Sequence, residues 1–253
     1  IYPMRKKLIA GNWKSNLLLS EAISLANSIA AQPISTHYEL AVFPPEAFIT
    51  SVASIYNTQV FTGAQNCSMY AEGAFTGETT ARQLQSAGVQ MVLTGHSERR
   101  QLFGETNSVI QQKVNKILEA GLTPVFCCGE MLPARQANQQ NQVVLQQLQE
   151  SLFHLTESDF GKVIIAYEPV WAIGTGVVAS PAEAEAMHAF IRNVVAQKYS
   201  TTTAQTLRIL YGGSVKPDNA QELFSCNNVD GALVGGASLK VADFLGIAHS
   251  INQ

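Results

Sequence analysis

The sequence predicts an α/β protein of the single (β/α)8-barrel class, and three observations carry that prediction. Eight short apolar runs alternate with eight segments of helical period. Most of the runs are nearly continuous in apolar and β-branched residues, as expected of parallel strands covered on both faces. The length of 253 residues matches one barrel of this kind. An open, doubly wound sheet is the competing arrangement of the same alternation.

In order, the predicted strands cover residues 7–11, 39–43, 59–63, 90–94, 123–127, 163–167, 207–211 and 231–234. The predicted helices cover 20–31, 45–56, 79–87, 108–120, 136–154, 181–198, 217–225 and 242–251. Local chemistry punctuates them. Ser180, Pro181 and Glu183 form a helix start, with an N-cap serine, a proline at the first helical position and a glutamate placed to close a capping box. Gly88 and Gly121 each stand where a helix must stop before the next strand. No linker, repeat or low-complexity tract divides the chain, so residues 1–253 read as one domain. Met4 offers a start, with Ile1, Tyr2 and Pro3 as an extension.

Composition narrows the function. A net charge of −3 without long basic stretches argues against nucleic acid and acidic membrane surfaces as partners. No apolar run reaches the ~18 residues of a membrane span, and no signal-peptide core follows the basic start. Cys67, Cys127, Cys128 and Cys226 fit neither a zinc site nor a Cys-x-x-Cys redox pair. Reduced, buried thiols in a cytoplasmic protein are the expectation.

The unusual residues fall just after the strands. Asn12, Trp13 and Lys14 follow the first, and Gly95 through Arg100 the fourth. Gly129 and Glu130 follow the fifth; Glu168 and a glycine-containing segment reaching Gly176 follow the sixth. Gly212-Gly213-Ser214 and Gly235-Gly236 follow the last two. A parallel barrel brings all these points to one mouth. There the glycine pairs would expose backbone N–H groups to a phosphate, aided by helix ends, although plain tight turns use glycine too. Glu168 ends an apolar strand, and poor solvation there suits a general base. His96 precedes a helix start whose positive end favours uncharged imidazole. Lys14 supplies a cation for phosphate or a developing oxyanion. The segment from Pro169 to Ala179 reads as a lid, with Trp171 and Ile173 for closure contacts and Gly174 and Gly176 for flexibility. No residue set has metal-ligand spacing, and no dinucleotide or nucleoside-triphosphate motif stands in its strand–helix context, so no metal and no cofactor is expected.

Seven motifs together make the chain resemble the triosephosphate isomerase family, the namesake of the TIM barrel. They are Gly11 to Lys14, Gly63 to Asn66, Gly73 to Glu78, Gly95 to Arg100, Ala166 to Gly176, Tyr211 to Ser214 and Gly231 to Gly236. The resemblance spans essentially the whole chain. It implies interconversion of dihydroxyacetone phosphate and glyceraldehyde 3-phosphate, without a cofactor, in glycolysis and gluconeogenesis. It implies that Glu168 moves the proton, that neutral His96 polarises the carbonyl, and that Lys14, near Asn12, stabilises negative charge. It further implies that Gly174, Ser214, Gly235 and Gly236 bind phosphate through N–H groups. Ile173 and Leu233 would clamp Glu168, with Glu98 and Cys127 in support. A homodimer is implied as well, the segment from Gln65 to Glu78 reaching into the neighbouring subunit and setting Thr76 near the neighbour's site.

Several positions depart from the family pattern. Ser15-Asn16-Leu17 follows the lysine, Val177 replaces a lid lysine, Cys128 replaces an isoleucine, and Pro133 and Ala134 interrupt an acidic helix start. None of these touches the expected proton-transfer groups. Two rival readings are a sugar-phosphate binder without turnover and another phosphate-binding barrel enzyme. The set Asn12, Lys14, His96 and Glu168 speaks against the first. An aldolase would need a Schiff-base lysine deep on a strand, where only Lys7 stands at an edge.

Overall fold

In the computed structural model, residues 5–56, 60–173 and 179–252 are described. Eight parallel strands close on themselves in chain order: β1 (Lys7–Asn12), β2 (Tyr38–Phe43), β3 (Val60–Ala64), β4 (Met91–Thr94), β5 (Thr123–Cys128), β6 (Ile164–Tyr167), β7 (Ile209–Tyr211) and β8 (Gly231–Val234). The ladder that shuts the barrel pairs Leu8 with Gly231 and Gly11 with Val234. An open sheet is thereby excluded.

The helices lie outside. They are α1 (Leu19–Ala30), α2 (Ile49–Ala53), α3 (Ala81–Ser86), α4 (Ser97–Leu102), α5 (Asn107–Glu119), α6 (Leu132–Gln136) and α7 (Gln140–Ser151). After these come α8 (Glu157–Phe160), α9 (Pro181–Lys198), α10 (Thr201–Thr206), α11 (Pro217–Ser225) and α12 (Val241–His249). The expected capping box at Ser180 is present, its hydroxyl accepting from the Glu183 N–H. Two sequence expectations need correction. The long helix expected over 136–154 is the shorter α7, Gln140–Ser151, because residue 136 ends the preceding α6 and Asn138 adopts a left-handed φ of 56° between the two, a conformation that asparagine tolerates better than most residues. The helix expected over 45–56 is a 3-10 turn at Glu46–Phe48 followed by the short α2.

Strand alternation builds two cores. Leu8, Ala10, Phe43, Leu93, Val125, Cys127, Ala166 and Leu210 fill the lumen. Their neighbours Ile9, Val42, Phe126, Cys128, Ile165 and Ile209 pack outward into the layer beneath the helices. The adjacent Cys127 and Cys128 therefore belong to different cores, as the period of two requires. With no turn of the barrel left over, every strand C-terminus opens on the same face, and that face carries the cavity described next.

Candidate active site

A cavity of about 350 Å³ opens at the strand C-termini. It is lined by Asn12 and Lys14 after β1, His96 after β4, and Glu168 and Ile173 after β6. Gly212 to Lys216 follow β7 on its wall, and Leu233, Gly235 and Gly236 close it at β8. The sequence-expected residues thus meet at one place. Gly174 lies outside the described residues, as do Gly176 and Val177. Cys127 stands in the lumen beneath the cavity rather than on its wall, and burial, followed by the nearby Glu168 charge, holds its thiol well above the usual range.

Glu168 is 2% exposed. Its carboxylate accepts from the Ser97 backbone N–H at 2.9 Å and from the Ser97 hydroxyl at 3.0 Å. His96 Nε2 lies 3.1 Å from Glu168 Oε1. The other ring nitrogen is committed: the Glu98 backbone N–H donates to Nδ1 at 3.2 Å. An Nδ1 that accepts this N–H leaves Nε2 as the ring nitrogen that can carry a hydrogen toward the cavity. The arrangement follows from the chain, because His96 is the N-cap of α4 and its side chain turns back on the first orphan amides of that helix.

Lys14 is held in an uncommon backbone state, with φ at 51°. Conformations of this kind cost a non-glycine residue about 1 kcal/mol or more and persist when their surroundings over-determine them. Two contacts do so here. Asn12 Oδ1 accepts from the Lys14 N–H at 3.0 Å, and Gln65 Nε2 donates to the Lys14 carbonyl at 2.8 Å. Gln65 also donates to the Phe43 carbonyl at 2.9 Å, tying the ends of β1, β2 and β3 together. The Lys14 ammonium then reaches Glu98 Oε1 at 2.5 Å.

The two glycine pairs turn out to differ. A Cβ on Gly213 would lie 2.2 Å from the Tyr211 hydroxyl, and one on Gly212 would lie 3.0 Å from Glu168 Cγ. The protein's own packing therefore favours glycine at both positions, and both also line the cavity. A Cβ on Gly236 would meet nothing within 4 Å. There the missing side chain leaves open space beside backbone amides at the start of a 3-10 turn, Gly236–Leu239, which is where an anion would need room.

Several residues were given no role within the site by the sequence. Ser97 and Gln65 belong to the motifs, yet their partners lie 71 and 51 residues away, and nothing local announces them. Glu130 is fully buried beside the cavity. It accepts from the Tyr167 hydroxyl at 3.0 Å and from Trp171 Nε1 at 2.8 Å. Burial pushes its carboxyl above the usual range, although Trp171, Tyr167 and Arg135 pull the other way. Among the described residues no group of histidine, cysteine, aspartate and glutamate could hold a metal ion, and no helix is long and apolar enough to cross a membrane.

Comparison with known proteins agrees with this geometry. The family model described as triosephosphate isomerase matches residues 7–251. A triosephosphate isomerase of Cytophaga hutchinsonii is 51% identical over 250 residues, covering 98% of this chain and 100% of that one. One of Bacteroides fragilis is 48% identical with the same shares covered, and one of Rhodopirellula baltica is 48% identical over 96% of both chains.

Proposed function

This chain belongs to the triosephosphate isomerase family, and from that premise we propose a residue-by-residue reading of its chemistry. The protein is an isomerase that interconverts dihydroxyacetone phosphate and glyceraldehyde 3-phosphate, an aldose–ketose exchange needed in both glycolysis and gluconeogenesis. The observation that carries the reading is the meeting of a buried carboxylate, Glu168, with an imidazole 3.1 Å away on the wall of a small cavity that also holds Lys14.

Glu168 removes a proton from the carbon next to the substrate carbonyl. The electron pair moves onto the carbonyl oxygen, giving an enediolate. His96 Nε2–H donates to that oxygen, and the Lys14 ammonium, positioned by Asn12 and Gln65, offsets its charge. His96 Nε2–H gives its proton to that oxygen and takes one from the neighbouring hydroxyl, and Glu168 returns the carbon-bound proton to the neighbouring carbon, which completes the exchange with no outside redox partner or cofactor. Ser97 holds both carboxylate oxygens when Glu168 rests against α4, so it sets the starting position of the base. Ser214, Gly235, Gly236 and Gly174 offer N–H groups to the phosphate, and Leu233 and Ile173 supply apolar walls that keep the carboxylate poorly solvated. Glu98 holds the Lys14 ammonium, and Cys127 supports the floor.

The same reading makes the chain one barrel domain, cytoplasmic, and a homodimer. Its arm runs from Gln65 to Glu78. Residues 71–78 are exposed along it, and Tyr70 stacks on Phe75 with centroids 4.1 Å apart. Leu18, Leu102 and Phe103 add large exposed apolar side chains, at 70%, 74% and 66% exposure, and a second subunit would cover such surface. Thr76 of the arm then approaches the neighbour's active site. The test is turnover of glyceraldehyde 3-phosphate in a coupled assay across a dilution series, with sedimentation in parallel. Turnover that falls where dimers dissociate is expected; a folded protein that binds phosphate without turnover would overturn the reading.

A further inference from the structure

One arginine outside the cavity touches both stretches of chain that flank residues 174–178. Arg135 ends the short helix α6 and is itself only 22% exposed at its side chain. Its Nη2 meets Glu183 Oε1 at 2.6 Å, and its Nη1 lies 3.7 Å from Glu130 Oε1. Its guanidinium plane stands over the Trp171 ring, 5.2 Å from the centroid. Each partner is itself tied to a flank. Glu130 holds the hydroxyl of Tyr167 and the indole N–H of Trp171, on either side of Glu168. Glu183 accepts from the backbone N–H of Ser180 at 2.8 Å and from its hydroxyl at 2.9 Å, closing the capping box that starts α9.

The chemistry suits the task. A guanidinium is planar and always charged, and it can pair two carboxylates and stack on an aromatic face at once, which an ammonium cannot. Among the described residues Arg135 makes the only ion pair of fully buried Glu130. Removing one partner from such a buried charge lets the remaining carboxylate and its donors rearrange. The donors here are the two residues that bracket Glu168.

We propose that Arg135 is a positioning residue for the reaction: by joining Glu130 and Trp171 on one flank to Glu183 on the other, it fixes the distance between the flanks and so where Glu168 stands. The proposal rests on the reading of Glu168 as the base. Arg135 does not line the cavity, so its effect travels through Tyr167 and Trp171 and not through contact with substrate.

The experiment compares R135M, R135K, E183Q and the double variant R135M/E183Q with the intact protein, all assayed well below their melting temperatures. R135M is expected to lose about 10-fold in kcat/KM, chiefly in kcat, and E183Q about 3-fold. The double variant should be no worse than R135M alone, because both changes cut one bridge. R135K, which keeps the charge but loses the stack and the fork, should recover only part of the loss. Trp171 emission should shift in R135M, while Trp13, buried elsewhere, gives a constant background. Losses that multiply in the double variant, full recovery by R135K, or lower melting temperature with unchanged kcat/KM would each overturn the proposal. Failure of the underlying reading looks different: the unaltered protein would not turn over, or E168D would match it.

Discussion

The two ends of the barrel each bury a carboxylate among nitrogen donors, and they use it in opposite ways. At the strand N-termini Asp230 is 2% exposed. Arg5 Nε meets its Oδ1 at 2.6 Å, Arg192 Nη2 meets its Oδ2 at 2.8 Å, and the Ile209 N–H donates to Oδ2 at 2.9 Å. Arg192 further donates to the carbonyls of Leu207 and Ala204. Two fixed cations and a backbone donor lock this acid in place, and they tie β7 and β8 to α9 and α10. At the mouth Glu168 is equally buried, yet its partners are a hydroxyl, one amide and an imidazole. No lysine or arginine lies within 4 Å of it among the described residues. The comparison teaches that burial alone does not make a carboxylate reactive. What differs is the partner set: two guanidinium groups hold Asp230, whereas Glu168, the proposed base, rests on a hydroxyl, an amide and an imidazole.

The sharpest way to break this contrast is to alter each acid. Glu168→Asp withdraws the carboxylate by about one methylene and should cut kcat by ~10³-fold, about 4 kcal/mol of barrier, with the inhibition constant of inorganic phosphate nearly unchanged. Turnover equal to the parent would remove Glu168 from its role. Asp230→Asn should do the reverse. Leaving two buried guanidinium groups short of their counter-charge should cost about 3–4 kcal/mol in denaturant unfolding, while kcat of the folded protein stays within about 2-fold. A large kcat loss without destabilisation would erase the distinction between the two ends.

The pH dependence of stability sharpens the same contrast. His188, on α9, is fully buried with its Nδ1 at 3.2 Å from the Asn228 carbonyl. The rings of Tyr167 and Tyr211 face it at 5.9 and 6.5 Å. Burial lowers its pKa to about 4; Arg192 and Lys7 add to that, and the Asn228 carbonyl and Glu185 oppose it. Because the folded value lies below the unfolded one, near 6.5, acid favours the unfolded chain. The stability tied to this group is complete above about pH 6.5 and declines as pH falls toward 4, by about 3 kcal/mol in total. Unfolding curves of the parent and of His188→Phe across that window should diverge by that slope; parallel curves would show that the group stays out of the proton balance. The smallest expected effect is at Cys128→Ile. The side chain sits in the layer beneath the helices, where added methylenes press on Phe126 and its neighbours, so stability should change by about 1 kcal/mol and kcat hardly at all. A rate change there would mean that this layer communicates with the mouth more strongly than the packing indicates.

The legibility of the sequence followed the range of the interactions. Strand runs, the Ser180 cap and the clustering of Lys14, His96 and Glu168 after β1, β4 and β6 were readable, because each signal is local and a parallel barrel collects strand ends on one face. The break at Asn138 was hidden inside a glutamine-rich stretch whose polar periodicity looks helical throughout. The Gly212-Gly213 pair resembled a ligand loop, and only the Tyr211 hydroxyl and Glu168 Cγ beside it revealed a packing reason.

What the amino-acid sequence determined on its own is the alternation of elements, the class of barrel and the identity of the groups at its mouth. These depend on hydrophobic period and on short motifs, both of which act within a few residues. The tertiary structure decided the partners: Ser97 on Glu168, Gln65 on the strained Lys14, Arg135 between Glu130 and Glu183. Each joins residues tens of positions apart through hydrogen bonds that need ångström-scale placement. Such placement exists only once the sheet has closed and the loops have been brought side by side.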